Sequence, residues 1–206
     1  MSIRITDRDK RLIKFLGDNH VVCSTLTLAK MFYCENHNLN SSITIANRRL
    51  TKLYQGQYIQ KLPRKFGEQQ LWYIGSNKPN SSQLRHKVIM SNFLGELVYQ
   101  GYKILDIKFE YILPPKYSIR CDMFITVEYN HQIAYLFVEV DLTKSLNPNY
   151  VQLISDMENN LFKCKYPIYL VSISDFKIDD EVLKNNFIRI DTDLENIIKL
   201  SWKFIK

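Results

Sequence analysis

Apolar residues recur at helical spacing in three segments of the N-terminal part of the chain. The first begins at Thr6, a residue type that caps helices, and ends at Gly17. The second starts at Ser24 and the third at Ser41, and each continues into regularly spaced Leu, Ile, Ala or aromatic residues. Residues 58–62 and 70–75 are rich in aromatic and β-branched residues and predict two strands.

A polar, proline-containing stretch at residues 76–82 is typical of a linker, and it divides the chain into predicted domains at 1–75 and 83–206. A long helix is predicted at 83–99, and strands and helices follow. The predicted strands lie at 103–111, 121–127, 134–141, 168–173 and 188–190, and the predicted helices at 148–162, 180–185 and 194–204. This order predicts an α/β (α+β) chain whose second domain contains a mixed central sheet.

Three short helices followed by two strands is the order of a winged helix-turn-helix domain. The polar face of the third helix would enter the major groove of DNA, and the tip of the strand pair would contact the backbone or minor groove. The predicted contacts are Thr44, Asn47, Arg48, Arg49 and Lys52 on the helix, with Arg64 and Lys65 at the tip. Winged helices also bind proteins, and in that alternative these positions form a solvated helix face.

The distribution of charge favours a polyanionic partner. Residues 1–80 contain 13 lysines and arginines against five aspartates and glutamates, whereas residues 81–206 contain 15 against 16. The net charge of the chain, +7, therefore comes from the predicted DNA-binding domain and its linker. Solubility alone is the alternative explanation of this asymmetry. We expect double-stranded DNA as the partner.

The composition is that of a globular protein. The chain has 206 residues, is 46% hydrophobic and 24% charged, and contains no apolar run of the roughly 18 residues that cross a membrane. Its N-terminus lacks the apolar core of a signal peptide, so we expect a cytoplasmic location and no membrane partner. The four cysteines are scattered and are expected to be free thiols. His20 and Cys23, with Cys34 and His37, resemble a set of zinc ligands, but the helix predicted between the two pairs holds them too far apart to share one ion.

Two strand-like runs carry a group of acidic residues. Residues 120–127 and 134–141 flank a short polar segment, which predicts a hairpin. Asp122 begins the first strand, and Glu139 and Asp141 lie near the end of the second, on one face because strand side chains alternate. The hairpin is expected to bring the three carboxylates near one point, where they would bind Mg²⁺ or Mn²⁺.

An alternative without a metal ion fits the same residues. Asp122 would then pair with Arg120 or Lys144, and Glu139 would face solvent at the end of its strand. Both arrangements are compatible with the sequence pattern.

The order of strands and acids resembles the PD-(D/E)xK nuclease superfamily. In that fold a helix and three strands carry an Asp and then a Glu-x-Lys on adjacent strands, and the acids bind Mg²⁺. The resemblance matches Asp122 and Glu139 to the family's acids and implies that Glu96 could add a further acid. Asp141 stands where the family has its catalytic Lys, and Lys144 is the nearby substitute.

The whole chain resembles the replication-relaxation family of Gram-positive plasmids, phages and conjugative elements. Members are similar in pairing a winged helix with a domain that carries an Arg-Pro-Asp-like strand and a later Phe-Val-Glu-Val-Asp strand. Here these are residues 120–122, with Cys121 in place of Pro, and residues 137–141, followed by Thr143. His86 on the linking helix fits the same pattern. The resemblance implies a role in replication, relaxation or gene regulation of a mobile element.

The sequence therefore predicts two alternative functions. The first is a DNA-binding protein of a plasmid or phage that acts in replication or transcription control, with a non-catalytic nuclease-like domain and no cofactor. The second is a Mg²⁺- or Mn²⁺-dependent nickase that uses Asp122, Glu139, Asp141 and Lys144. A tyrosine relaxase is disfavoured because the four histidines are widely spaced. Further expected partners are a second copy of the chain, if the DNA site is palindromic, and replication or transcription proteins.

Overall fold

The computed structural model divides the chain into two compact units, Met1–Tyr99 and Gln100–Lys206. The chain is mixed α/β, as the sequence predicts. The structure describes residues 3–18, 21–35, 37–64, 68–75, 80–142, 149–159, 164–175 and 186–204. Within these ranges, none of the helices has the length and apolar character needed to cross a membrane.

The first unit contains four helices and three short strands in its described ranges. They are α1 (Asp7–Asp18), β1 (Cys23–Ser24), α2 (Thr25–Phe32), α3 (Leu39–Gln55), β2 (Gln60–Lys61), β3 (Leu71–Tyr73) and α4 (Ser81–Tyr99). The strands form an antiparallel sheet in the order β1-β3-β2. The two-residue strand β1 was not predicted, because a run so short has no periodicity of its own.

Side-chain caps set where the first three helices begin. The Thr6 hydroxyl and backbone N–H both donate to the Asp9 carboxylate, and the Asp9 N–H donates back to the Thr6 hydroxyl, as in a capping box. Ser24 accepts a hydrogen bond from the Thr27 N–H at the start of α2. Helix α3 begins two residues earlier than the predicted Ser41, because the Asn38 side chain caps it.

Helix α4 packs within the first unit, which corrects the predicted domain boundary. The Thr27 hydroxyl of α2 donates to the Asn92 side chain at 2.5 Å, and the Ser91 hydroxyl donates to the Val22 carbonyl at 2.7 Å. Gly95 lies so close to α2 that a Cβ there would stand 2.9 Å from the Thr27 methyl carbon. The helix that was assigned to the second domain from the sequence therefore belongs to the first unit, and residues 76–82 are not the division.

The second unit is built on one five-stranded mixed sheet with the order β4-β5-β6-β7-β8. The strands β4, β5 and β6 are antiparallel, and β6, β7 and β8 are parallel. The described elements are β4 (Lys103–Ile112), β5 (Arg120–Tyr129), β6 (Gln132–Val140), α5 (Asn149–Glu158), β7 (Ile168–Ile173) and β8 (Phe187–Ile190), with 3₁₀ turns at Pro115–Tyr117 and Ile197–Phe204. The predicted strands are confirmed.

Three details of the second unit differ from the prediction or lie outside the described residues. The β5–β6 hairpin turns at Asn130 and His131 alone, both with positive φ, so the strands are longer and the connection shorter than expected. The last helix is a 3₁₀ helix that begins at Ile197, not an α-helix from residue 194. The short helix predicted at 180–185 lies outside the described residues.

Each face of the large sheet is covered by a different element. Phe137 and Leu170 belong to the core that also contains Tyr150 and Leu153 of α5. On the other face, Phe204 of the C-terminal 3₁₀ helix packs edge-on against a pair of stacked tyrosines, Tyr102 and Tyr129. We call the side of the sheet that carries Phe137 and α5 the α5 face.

Candidate functional site

Helix α3 has an exposed polar stripe that contains no acidic residue. Its opposite side is buried and holds Ala46, Leu50 and Leu53 in the core. We define the α3 stripe as the exposed residues at helical spacing, namely Asn40, Ser41, Thr44, Asn47, Arg48, Thr51, Lys52 and Gln55. The predicted residues Thr44, Asn47, Arg48 and Lys52 are therefore brought together on one surface.

Arg49 is not part of this stripe. Its Nε donates to Asp9 Oδ1 at 2.9 Å, and one terminal nitrogen donates to Asp9 Oδ2 at 2.5 Å and to the Arg4 carbonyl at 2.7 Å. The Asp9 side chain is 1% exposed, and that of Arg49 is 23% exposed. Its guanidinium neutralises a buried carboxylate, so the structure separates Arg49 from the other predicted DNA contacts on α3.

The stripe presents its hydrogen-bonding groups in an ordered way. The hydroxyl of Thr44 donates to the Asn40 carbonyl at 3.1 Å, and that of Thr51 donates to the Asn47 carbonyl at 2.8 Å. Both threonine side chains are therefore held against the helix. The amide of Asn47 and the guanidinium of Arg48 are exposed between them. Amide and guanidinium groups are the two that form paired hydrogen bonds with purine edges in the major groove.

The tip between β2 and β3 is only partly described. Arg64 is exposed, and its Nε donates to the Glu68 carbonyl at 2.5 Å. Lys65, the other predicted contact at the tip, lies outside the described residues. The ammonium of Lys61 lies 4.5 Å from the centre of the Tyr54 ring, so a further exposed cation stands between the tip and the end of α3.

Charge is divided unequally between the units, as the sequence predicts. The first unit, with α4 included, contains 15 lysines and arginines against six aspartates and glutamates, a net charge of +9. The second unit contains 13 against 15, a net charge of −2. The difference in net charge between the two parts of the chain is therefore larger when α4 belongs to the first unit.

The second unit brings the predicted acids together on the α5 face. The β5–β6 ladder ends where Met123 pairs with Val138, and Asp122 and Glu139 are the next residues on the two strands. The Val140 N–H donates to Asp122 Oδ2 at 2.7 Å, which ties the carboxylate of β5 to the backbone of β6. Asp141 follows immediately after β6, and its N–H donates to the Ile173 carbonyl. Asp122 and Asp141 both lie close enough to Glu139 for their charges to raise its pKa.

Glu139 is the most perturbed of the three acids. Burial raises its pKa to about 8, and the negative charges of Asp122 and Asp141 act in the same direction. The Tyr150 hydroxyl of α5 donates to Glu139 Oε2 at 2.9 Å and partly offsets this rise. At neutral pH the side chain therefore holds a proton in the absence of a bound cation.

Two polar residues continue the row that Asp122 and Glu139 begin. Ser172 of β7 pairs with Glu139, and Arg189 of β8 pairs with Ser172, so the row crosses four strands. The Ser172 hydroxyl is buried and has no hydrogen-bond partner among the described residues. Arg189 donates to Asp191 at 3.1 Å. Neither residue is predicted from the sequence, because the only signal of each is a polar side chain inside an otherwise apolar strand.

Other predicted members of the acidic site are placed differently. Arg120, the predicted partner of Asp122, pairs with Glu110 at 3.0 Å. Glu96 lies on α4 in the first unit, where it pairs with Lys30. Lys144 lies outside the described residues. Among the residues that are described, no group of three His, Cys, Asp or Glu side chains is arranged to hold a metal ion.

Comparison of the chain with protein-family models, with curated proteins and with solved structures finds no match.

Proposed function

We propose that the first unit is a winged helix-turn-helix that binds double-stranded DNA, and that the protein acts in replication or transcription control of a mobile element. The acid-free α3 stripe is the observation that carries the proposal, because a solvated helix face normally mixes both signs of charge. The element order and the β1-β3-β2 sheet, together with the net charge of +9, add support.

In the proposed complex, α3 lies in the major groove. Asn47 and Arg48 contact base edges, and Lys52 contacts a phosphate. Arg64 and the tip between β2 and β3 contact the backbone beside the groove. Arg49 holds α3 in position from behind, through Asp9, and makes no contact with DNA. In this proposal the second unit is a nuclease-like domain without catalytic activity. It contacts a second copy of the chain, or replication or transcription proteins.

A salt titration tests the proposal. Binding to a fluorescein-labelled 30-base-pair duplex is measured by anisotropy at increasing salt, for the intact protein, for Arg48→Ala and for Lys52→Ala. Each phosphate contact contributes about −0.9 to the slope of log K against log salt, so loss of Lys52 should reduce the slope by about that amount. Arg48→Ala should weaken binding and broaden the preference found by selection from a random duplex library.

Lys199→Ala is the matched control, because it removes one exposed positive charge from the second unit. It should leave both the slope and the affinity unchanged. Equal effects of Lys52→Ala and Lys199→Ala would show that binding depends on net charge and not on α3.

A Mg²⁺- or Mn²⁺-dependent nickase is the second candidate. Burial raises the pKa of Glu139, and the charges of Asp122 and Asp141 raise it further, so the three carboxylates lie close together, which is the observation that favours this candidate. The ion would stabilise the negative charge that develops on the reacting phosphate. Incubation of supercoiled plasmid with protein and Mn²⁺ tests it, with Glu139→Gln as the control. Nicking that persists in Glu139→Gln would come from a contaminant and would remove this candidate.

A further inference from the structure

A row of aromatic rings crosses the α5 face of the large sheet. Tyr111 of β4 stacks on Phe124 of β5 with centroids 4.7 Å apart, and Phe124 lies 5.1 Å from Phe137 and 5.2 Å from Tyr135 of β6. Tyr135 lies 5.4 Å from Tyr166, which precedes β7. The row therefore extends over β4, β5, β6 and the segment that precedes β7.

The row is not sealed into the core. Phe137 is buried, but Tyr111, Phe124, Tyr135 and Tyr166 are only half-buried. Tyr111, Phe124 and Tyr135 pack against the edge of the core beneath α5, which fixes the ring positions in advance. A ligand that stacks on them would not have to order them.

Two exposed lysines stand at the ends of the row. The Lys108 ammonium lies 5.7 Å from the centre of the Tyr111 ring, and the Lys165 ammonium lies 4.9 Å from the centre of the Tyr166 ring. Lys108 pairs with Phe124 across the β4–β5 ladder, so it shares the face of the rings. Cations held over ring faces are the arrangement in which an aromatic surface also attracts phosphate.

We propose that this face, which we call the aromatic row, binds single-stranded nucleic acid. Bases stack on Tyr111, Phe124 and Tyr135, and the phosphates of the same strand pair with Lys108 and Lys165. A purely apolar partner would gain nothing from the terminal lysines, whereas a chain that alternates planar bases with negative charges uses both. Stacking of this kind is tolerant of sequence, because every base has a π face.

The carboxylates on the α5 face limit the path that a bound nucleic acid can take. Asp122 lies two residues from Phe124, and Glu139 lies two residues from Phe137, so each is about 7 Å along its strand from a ring on the same face. These acids repel phosphate on that side. The nucleic acid therefore runs across the strands, from Lys108 towards Lys165, and not along them.

Fluorescence anisotropy with a labelled 20-residue oligothymidylate tests the proposal on the full chain. Lys108→Glu and Lys165→Glu should each weaken binding about fivefold or more at low salt, whereas Lys199→Glu should change it less than about twofold. The control residue is an exposed lysine on the C-terminal 3₁₀ helix, which packs on the opposite face of the sheet. Competition by oligouridylate distinguishes RNA from DNA as the preferred strand.

Substitution of the ring at the sheet edge separates stacking from charge. Tyr111→Leu should weaken binding about fivefold or more, and Tyr111→Trp should restore it, since stacking contributes roughly that much per base. Circular dichroism confirms that each variant remains folded. Equal affinities of Lys108→Glu and Lys199→Glu, or of Tyr111→Leu and Tyr111→Trp, would overturn the proposal.

The test is independent of the duplex-binding proposal. Arg48→Ala should lose affinity for duplex DNA and keep its affinity for oligothymidylate. If Arg48→Ala abolishes binding of both, single strands bind at the α3 stripe, and the aromatic row has no such role. If oligothymidylate binds while duplex DNA does not, the aromatic row stands and the duplex-binding proposal fails.

Discussion

Arg49 of helix α3 holds the buried carboxylate of Asp9 with two hydrogen bonds from one guanidinium group. Asp9 also accepts hydrogen bonds from the N–H and hydroxyl of Thr6. The start of α1 and the middle of α3 are therefore joined through a single side chain. Of the three cations on α3, one serves the fold and two, Arg48 and Lys52, are exposed.

Arg49→Ala should destabilise the first unit by about 2–3 kcal/mol. A fully buried ion pair that loses one partner typically costs 3–5 kcal/mol, and the partial exposure of Arg49 reduces this figure. The measurement is urea unfolding, in which the midpoint falls and the m-value stays constant. Arg48→Ala removes the neighbouring charge from the surface and should change stability by less than about 0.5 kcal/mol.

The same pair predicts how stability depends on acid. Burial alone would raise the pKa of Asp9, but hydrogen bonds from Arg49 and Thr6 outweigh it and hold the pKa below its usual value. The contribution of Asp9 is therefore present above about pH 4 and is lost as the pH falls further towards the folded-state pKa. Unfolding free energies of the protein and of Asp9→Asn should converge over that interval. A difference that stays constant down to pH 2 would contradict this.

Glu139 predicts the opposite dependence. Its pKa is raised to about 8 by burial and by neighbouring acids, so the folded state keeps a proton that the unfolded state has lost. Its effect on stability is therefore most favourable below about pH 4.5 and declines as the pH rises to about 8. Without divalent cations, Glu139→Gln should melt progressively higher than the intact protein between pH 5 and 9. Glu195→Gln, which changes an exposed acid of the same unit, should show no such trend.

Gly95→Ala should destabilise the first unit by about 1 kcal/mol. The new Cβ would lie 2.9 Å from the Thr27 methyl carbon and 3.3 Å from two Thr27 backbone atoms. Overpacking of this kind costs about 1–3 kcal/mol, and the better helix propensity of Ala offsets about 1 kcal/mol. Gly17→Ala is the control, because its Cβ would make an ordinary 3.6 Å contact with Ile74. That change should be neutral or slightly stabilising in thermal unfolding.

A double-mutant cycle localises this effect. Thr27→Ser removes the methyl group and keeps the hydroxyl that donates to Asn92. Gly95→Ala should therefore cost less in the Thr27→Ser background than in the intact protein. Equal costs in the two backgrounds would place the strain elsewhere.

The sequence predicts the sheet of the second unit well for a physical reason. Strand β5 alternates between buried and half-buried residues from Cys121 to Glu128, and β6 does the same except at Phe137, which is buried like its two neighbours. The existence of both strands and the common face of Asp122 and Glu139 therefore follow from a period of two. The turn at Asn130 and His131 is harder to predict. The signal for such a turn is usually Gly at the second position, and here His131 takes the positive φ.

Long-range pairing is what the sequence does not reveal. Arg49 is adjacent to Arg48 and has the same charge, and only the position of Asp9 in the fold separates their roles. The packing of α4 on α2 depends on one glycine, Gly95, opposite Thr27. Ser172 lies beside Glu139 through strand register alone, although it comes 33 positions later in the chain. In each case a contact between distant residues overrides the local pattern.

The close packing of α4 on α2 determines which N-terminal fragments of the protein can fold. A fragment that stops before residue 81 would expose the Thr27 hydroxyl and the Val22 carbonyl, which Asn92 and Ser91 otherwise satisfy. A fragment that stops after Tyr99 keeps both contacts. Protease resistance and soluble expression should therefore belong to the 99-residue piece, and the shorter piece should be digested as an unfolded chain.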